Sequence, residues 1–208
     1  MEIVNSQIEA YIRELVPIGN PVLKEMEAYG MERKFPIIGP LCGQFLRQMA
    51  AVSQANAIFE MGSGFGYSAV WFAMGMARRG KIICTDGDEK NRDRALAYFD
   101  RLGIRDSVEF HVGHAQDILR KYDGPFDIIF NDVDKEQYPD TIDLALSRLR
   151  KGGLFITDNA LWDGEVLRAS GDKYTEGVKE FNRLLFARND CVTLIVPLRD
   201  GLAVSVKL

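Results

Sequence analysis

Four stretches hold the residues whose types and spacing could do chemistry. Asn131-Asp132-Val133-Asp134-Lys135 and Thr157-Asp158-Asn159 each close an apolar run. Asp132, Asp158 and Asn159 would offer three oxygen ligands without any Cys or His. That is a hard-cation set, suited to magnesium, manganese or calcium with water or substrate completing the shell. Lys135 follows Asp132 by one helical turn's spacing and would project toward the same place. Beside a divalent cation it becomes a usable base; a solvated surface lysine is the plainer alternative.

The third stretch is Glu60-Met61-Gly62-Ser63-Gly64-Phe65-Gly66-Tyr67-Ser68, an apolar run that breaks into glycines at alternate positions before helix formers resume. A strand, a glycine turn and a helix in that order bring backbone close to a ligand at the helix N-terminus. The pattern is G-x-G-x-G, not G-x-G-x-x-G, and no Lys-Ser/Thr follows to make a phosphate loop. Glu60 at the mouth of the strand would repel a pyrophosphate, so a cationic or neutral nucleoside ligand fits better; a plain tight turn is the alternative. The fourth stretch is Thr85-Asp86-Gly87-Asp88. Asp86 falls about 20 residues past the glycines, where an acidic residue holds a ribose hydroxyl pair. Taken singly, such Asp and Asn residues also serve as turn and N-cap residues after strands. Their recurrence at four of five expected strand ends is what argues for a site.

These residues need a scaffold that collects strand ends. From Asn56 onward, apolar strand-like runs at 57–61, 81–85, 108–112, 126–132 and 153–157 alternate with helical runs at 68–79, 89–102, 115–121 and 138–149. Near-continuously apolar strands alternating with helices predict a parallel sheet covered on both faces. A last helix is expected at 176–187. Two β-rich runs around Asp200-Gly201 then predict a closing hairpin. Ahead of the sheet, helices are expected to about Val16 (ended by Pro17 and Gly19), over 21–29 (closed by Gly30) and over 41–52. The prolines of Phe35-Pro36-Ile37-Ile38-Gly39-Pro40 keep that stretch non-helical. Residues 1–208 read as one domain, with 1–54 a helical extension that caps the sheet or faces a partner.

The chain has 208 residues, 47% hydrophobic and 27% charged, with a net charge of -4. That is an ordinary soluble composition, long enough to bury a core without staples. A pI near 5.3 gives no global field for nucleic acid or anionic membrane. Cys42, Cys84 and Cys191 are widely spaced with no C-x-x-C, which argues against a disulfide framework or zinc site and fits a reducing cytoplasm. The N-terminus lacks a signal peptide's basic and apolar regions, and no apolar run approaches a membrane span. His111 and His114 read as packing or hydrogen-bonding residues. Trp162 could wall an acceptor pocket.

In combination, the stretch 60–68, Asn131-Asp132-Val133-Asp134-Lys135-Glu136-Gln137-Tyr138 and Thr157-Asp158-Asn159-Ala160-Leu161-Trp162-Asp163-Gly164 resemble the cation-dependent O-methyltransferases, the family of catechol and caffeoyl-CoA O-methyltransferases. Gly43-Gln44-Phe45-Leu46 and Pro197-Leu198-Arg199-Asp200-Gly201-Leu202 are similar to its pattern as well. The resemblance implies a Rossmann-like class I methyltransferase fold: α/β, with a seven-stranded, mostly parallel sheet, helices on both faces and a C-terminal antiparallel hairpin. It implies S-adenosylmethionine as cofactor. Ile38, Glu60 and Gly62 would lie near it, with Ser68 at its carboxylate. Asp134 would face its ammonium, Asp86 its ribose, and Ala115 and Gln116 its adenine. Asp132, Asp158 and Asn159 would hold the cation, magnesium first, and Lys135 would be the base. The implied acceptor is a catechol-like phenol and the implied assembly a homodimer. A hydroxylated uridine of transfer RNA is the alternative acceptor, and a nucleotide-binding protein without catalysis a third reading. The stretch 35–40 is less polar than the family's, and Asn131 stands where an apolar residue is usual.

Overall fold

The computed structural model describes residues 3–16, 19–77, 79–169 and 171–208. Five strands end where ligands are expected: β1 (Ala57–Met61), β2 (Lys81–Asp86), β3 (Val108–Val112), β4 (Phe126–Asn131) and β5 (Leu149–Thr157). They are mutually parallel. With β6 (Cys191–Val196) and β7 (Leu202–Lys207) they form one sheet in the order β3-β2-β1-β4-β5-β7-β6. β7 runs antiparallel between β5 and β6, so the expected hairpin is present and its turn returns to the carboxyl end of β5.

Consecutive strand residues bury on opposite faces, which is why the strands read as unbroken apolar runs. Ile58, Ile82, Ile128 and Leu154 pack on one side of the sheet. Their chain neighbours Phe59, Ile83, Ile129 and Phe155 pack on the other. The first side is covered by α2 (Pro21–Arg33), α3 (Gly39–Val52), α4 (Tyr67–Gly75) and α5 (Glu89–Leu102), through residues such as Leu23, Leu46, Trp71 and Phe99. The second is covered by α6 (Ala115–Leu119), α7 (Tyr138–Arg148) and α8 (Lys173–Phe186), through Leu119, Ile142 and Phe181. Asp127 ties the start of β1 to β4 by accepting from the amides of Asn56 and Ala57 at 2.7 and 2.9 Å.

Helix boundaries differ from the sequence expectations for local reasons. α1 (Ser6–Leu15) is capped by the Asn5 side chain and buries no residue; Pro17, expected to end it, lies outside the described residues. α2 continues past Gly30 to Arg33, because Gly30 packs against Ile37 within the helix interior. α3 takes in Gly39 and Pro40, proline being tolerated in a first helical turn. α4 stops at Gly75, short of the expected 79; Arg78, within that expected stretch, lies outside the described residues. α8 starts at Lys173 because Asp172 accepts from the amides of Tyr174 and Thr175. β5 begins at Leu149, ahead of the expected 153, pairing there with Phe126 across a register shift. α2 and α3 contribute Val22, Leu23, Met26, Cys42 and Leu46 to the same core as β1 and β4. No helix among the described residues is long and apolar enough to cross a membrane.

Candidate active site

Strand order reverses between β1 and β4, and a crevice opens beyond the carboxyl ends there, as doubly wound sheets require. The β1–α4 turn forms its floor. Gly62 has φ of +87°, and a methyl there would overlap the backbone carbonyl of Asp132 after β4. Only glycine lets the two loops meet so closely. The amides of Gly62 and Ser63 donate to the Thr85 carbonyl at 3.2 and 2.7 Å, and the Gly64 amide donates to Asp86 Oδ2 at 3.0 Å. Asp86 Oδ1 accepts from the amide of Asp88 and the side chain of Asn91, both at 2.9 Å. Asp86 is thus fixed beside the glycine turn.

A cleft of about 300 Å³ lies over this turn, lined by Ile38, Gly62, Ser68, Asp86, Asp132, Asp134, Lys135, Asp158 and Asn159, with Phe35, Trp162 and Arg199 completing its walls. A second hollow shares Gly62, Asp86, Asp132 and Asp134 with it and reaches Gly113, His114, Ala115 and Gln137. Sequence-predicted residues from six separate segments therefore meet in one crevice. Two others stand behind its walls. Glu60 is wholly buried, where the Ser68 hydroxyl and the Cys84 thiol donate to it. Burial pushes its carboxyl up to about 7, against the pull of the Ser68, Ser63 and Cys84 hydrogen bonds. Gln116 is buried too and donates to the Gln137 carbonyl at 3.5 Å. Glu60 thus steadies Ser68, and Gln116 steadies Gln137, in each case the lining residue in front of it.

The far end of the cleft collects charge. Lys135 Nζ donates to Asp132 Oδ1 at 3.0 Å and lies 5.3 and 5.6 Å from the ring centres of Tyr138 and Trp162. Its terminal nitrogen therefore sits between one carboxylate and two aromatic rings. Tyr138, fully buried, donates its hydroxyl to the Asp158 carbonyl, bracing that strand end. Asp158 is 1% exposed and accepts from Arg199, while its Oδ1 has no hydrogen-bond partner. Burial pushes the Asp158 carboxyl up against the opposing charge of Arg199, and repulsion from Asp132 and Asp200 adds to the rise. The Asn159 amide donates to Asp200 Oδ2 at 2.7 Å, which turns its carbonyl oxygen away from Asp200.

A hard divalent cation suits this donor set. The buried Asp158 Oδ1 lacks a partner, two carboxylates repel each other across the cleft, and an oriented amide oxygen stands beside them. Among the described residues no group of three or more His, Cys, Asp or Glu side chains is placed to hold a metal. The set here is two carboxylates and one amide. Arg199 and Asp200 were not assigned roles from sequence. Their only signal was membership of the Pro197–Leu202 segment, which resembled the family pattern as a whole. Both histidines lie at the periphery: His111 meets Tyr122 at 2.8 Å and His114 meets Gln137 at 3.1 Å.

Residues 18–208 match the family model described as O-methyltransferase. A catechol O-methyltransferase of Niastella koreensis is 32% identical, over 96% of each chain. Caffeoyl-CoA O-methyltransferase 1 of Nicotiana tabacum is 31% identical over 80% of this chain and 75% of its own. The solved O-methyltransferase of Bacillus cereus in complex with SAH superposes with a TM-score of 0.87, 27% identical over 97% of both chains.

Proposed function

Because the chain belongs to the O-methyltransferase family, we propose that it methylates one hydroxyl of a small vicinal dihydroxy-aromatic acceptor with the help of a divalent cation. It is an S-adenosylmethionine-dependent O-methyltransferase of the catechol and caffeoyl-CoA type. The observation that carries the cation-assisted reading is the convergence of Asp132, Lys135, Asp158 and Asn159 on the cleft floored by the glycine turn. A hydroxylated uridine of transfer RNA draws no support from these relatives, which are named for small catechol and caffeoyl acceptors.

In this reading the cofactor lies across the glycine turn. Asp86 accepts from its ribose hydroxyls, Ser68 stands at its carboxylate and Asp134 faces its ammonium. Ile38 covers it, and Ala115 borders the adenine. Glu60 and Gln116 act through Ser68 and Gln137. Asp132, Asp158 and Asn159 would hold the cation, which when bound acidifies the phenol it touches. Lys135 takes the proton from the attacking hydroxyl, with Trp162 walling the acceptor beside it. The phenolate oxygen then forms a bond to the sulfonium methyl as the carbon–sulfur bond breaks, leaving a neutral thioether. Charge is cancelled in that step, so alignment contributes more than charge stabilisation. The unpartnered apolar stripe of α1, with Ile8, Tyr11 and Leu15 exposed, fits a homodimer interface. A cytoplasmic setting suits three buried, unpaired cysteines.

Calorimetry and turnover together test the arrangement. Exhaustive chelation, or Asp158→Ala, should abolish methylation of catechols while cofactor affinity stays within about threefold. Asp86→Ala should instead weaken cofactor binding by roughly 1.5–3 kcal/mol, the range for a hydrogen bond to a charged group. Magnesium or manganese should restore the chelated enzyme, and zinc should do so poorly for want of nitrogen or sulfur ligands. Full activity after chelation would remove the cation from the mechanism.

A further inference from the structure

The turn between β6 and β7 brings a cation onto Asp158. Arg199 sits in this turn with φ of +52°, a left-handed conformation uncommon for a bulky non-glycine residue. The turn is laced to the segment just after β5: the amides of Ala160 and Leu161 donate to the carbonyls of Gly201 and Asp200 at 2.9 and 2.7 Å. So held, the guanidinium of Arg199 donates through one nitrogen, Nη2, to Asp158 Oδ2. The same Nη2 lies 3.2 Å from Asp200 Oδ1, an ion pair without hydrogen-bond geometry.

This pair is incompletely made. Arg199 Nε is buried and has no hydrogen-bond partner, and the same holds for Asp158 Oδ1 and Asp200 Oδ1. Three orphaned polar atoms in one cluster mark a network that some other group completes. An arginine committed to a carboxylate normally presents two parallel donors; here it presents one. The Asp158 side chain is 2% exposed and that of Arg199 is 33% exposed, and Arg199 lines the cleft. The carboxylate cannot move to solvent, whereas the guanidinium can.

We propose that Arg199 is a resident counter-ion that competes with a divalent cation for the charge of Asp158, so that Arg199 sets the cation concentration at which the site fills. The inference rests on the cation reading above and deepens it. Without the cation, Arg199 pairs with the buried carboxylate and keeps the hairpin turn docked. With it, the two positive charges repel each other across one carboxylate, and the guanidinium gives way toward the cleft mouth. Lys135 stands in the same relation to Asp132, but three residues away on its own segment rather than across the sheet.

Manganese titration of the cofactor-free protein, by calorimetry and by the electron paramagnetic resonance of unbound manganese, tests this without turnover. Arg199→Gly removes the guanidinium and suits the left-handed backbone. It should tighten manganese binding about 10- to 100-fold, the lower end of what a buried carboxylate stripped of its partner commands once the partner's exposure is discounted. Arg199→Gln should give the same tightening, and covers the case in which glycine loosens the turn. Arg199→Lys, which keeps the charge, should fall between these and the wild type. Equal or weaker binding in both neutral variants, with the wild type still binding, would overturn the inference and leave the cation reading standing. No binding by any form at millimolar manganese would overturn both.

Discussion

Replacing Glu60 by glutamine should change how stability depends on pH, and the structure sets both sign and size. The Glu60 carboxylate is wholly buried at the end of β1, with the Ser68 hydroxyl and the Cys84 thiol donating to it. Burial raises its pKa from 4.5 to about 7. Between those values the folded protein holds a proton that the unfolded chain has released. Glu60 therefore contributes stability that is fully present below 4.5 and is lost as pH rises through 7. At about 1.4 kcal/mol per pH unit, the full loss over that window is about 3.5 kcal/mol. Glutamine keeps the shape and cannot ionise, so it lacks this decline. It gives up one acceptor, a pH-independent offset of about 1 kcal/mol.

Urea denaturation of cofactor-free wild type and Glu60→Gln, followed by fluorescence of the buried Trp71, should show the variant gaining about 2–3 kcal/mol relative to wild type between pH 5 and pH 8. Groups such as Asp158 titrate in both proteins and cancel in the difference. A wild-type-minus-variant difference that moves by less than about 0.5 kcal/mol over this range, within the extrapolation error, would refute the assignment of a protonated, buried Glu60.

Lys135→Ala should retain cofactor affinity and bind manganese at least as tightly as the wild type, yet lower the rate by about 10²–10⁴-fold, as for a missing general base. The loss should shrink for acceptors with more acidic hydroxyls, and a uniform loss across such a series would assign Lys135 to positioning instead. The exposed stripe of Ile8, Tyr11 and Leu15 on α1 should give a dimer mass by light scattering at micromolar concentration; a monomer mass would leave that stripe unexplained.

The parallel strands were legible because burial on both faces makes them continuous apolar runs, a signal that needs no knowledge of neighbours. Helix ends were less so. Gly30 looked like a terminator, and only the packing of Ile37 against it shows why the helix tolerates it. At the site, residues just past the strand ends converge on one crevice, as any doubly wound sheet delivers them there. Which way each points was not readable. Glu60 and Gln116 occupy the right segments, but their side chains turn inward and reach the cleft only through Ser68 and Gln137. Asn131, odd in sequence, is wholly buried and makes only long contacts to Thr141 and Thr157, at 3.4 and 3.5 Å; the structure gives no reason for it.

Arg199 marks where a reading from local sequence stops. It lies 41 residues from Asp158, and their meeting depends on β7 inserting antiparallel between β5 and β6, with Ala203 opposite Thr157. That register carries the preceding turn over the carboxyl end of β5. Had the last strand run parallel, its leading turn would lie at the amino ends of the strands and Asp158 would face the cleft without a counter-charge. A buried carboxylate in that position would protonate or repel Asp132 until a ligand arrived. The reversed strand therefore does more than close the sheet: it supplies the positive charge that lets two acidic strand ends stand together before any cation binds.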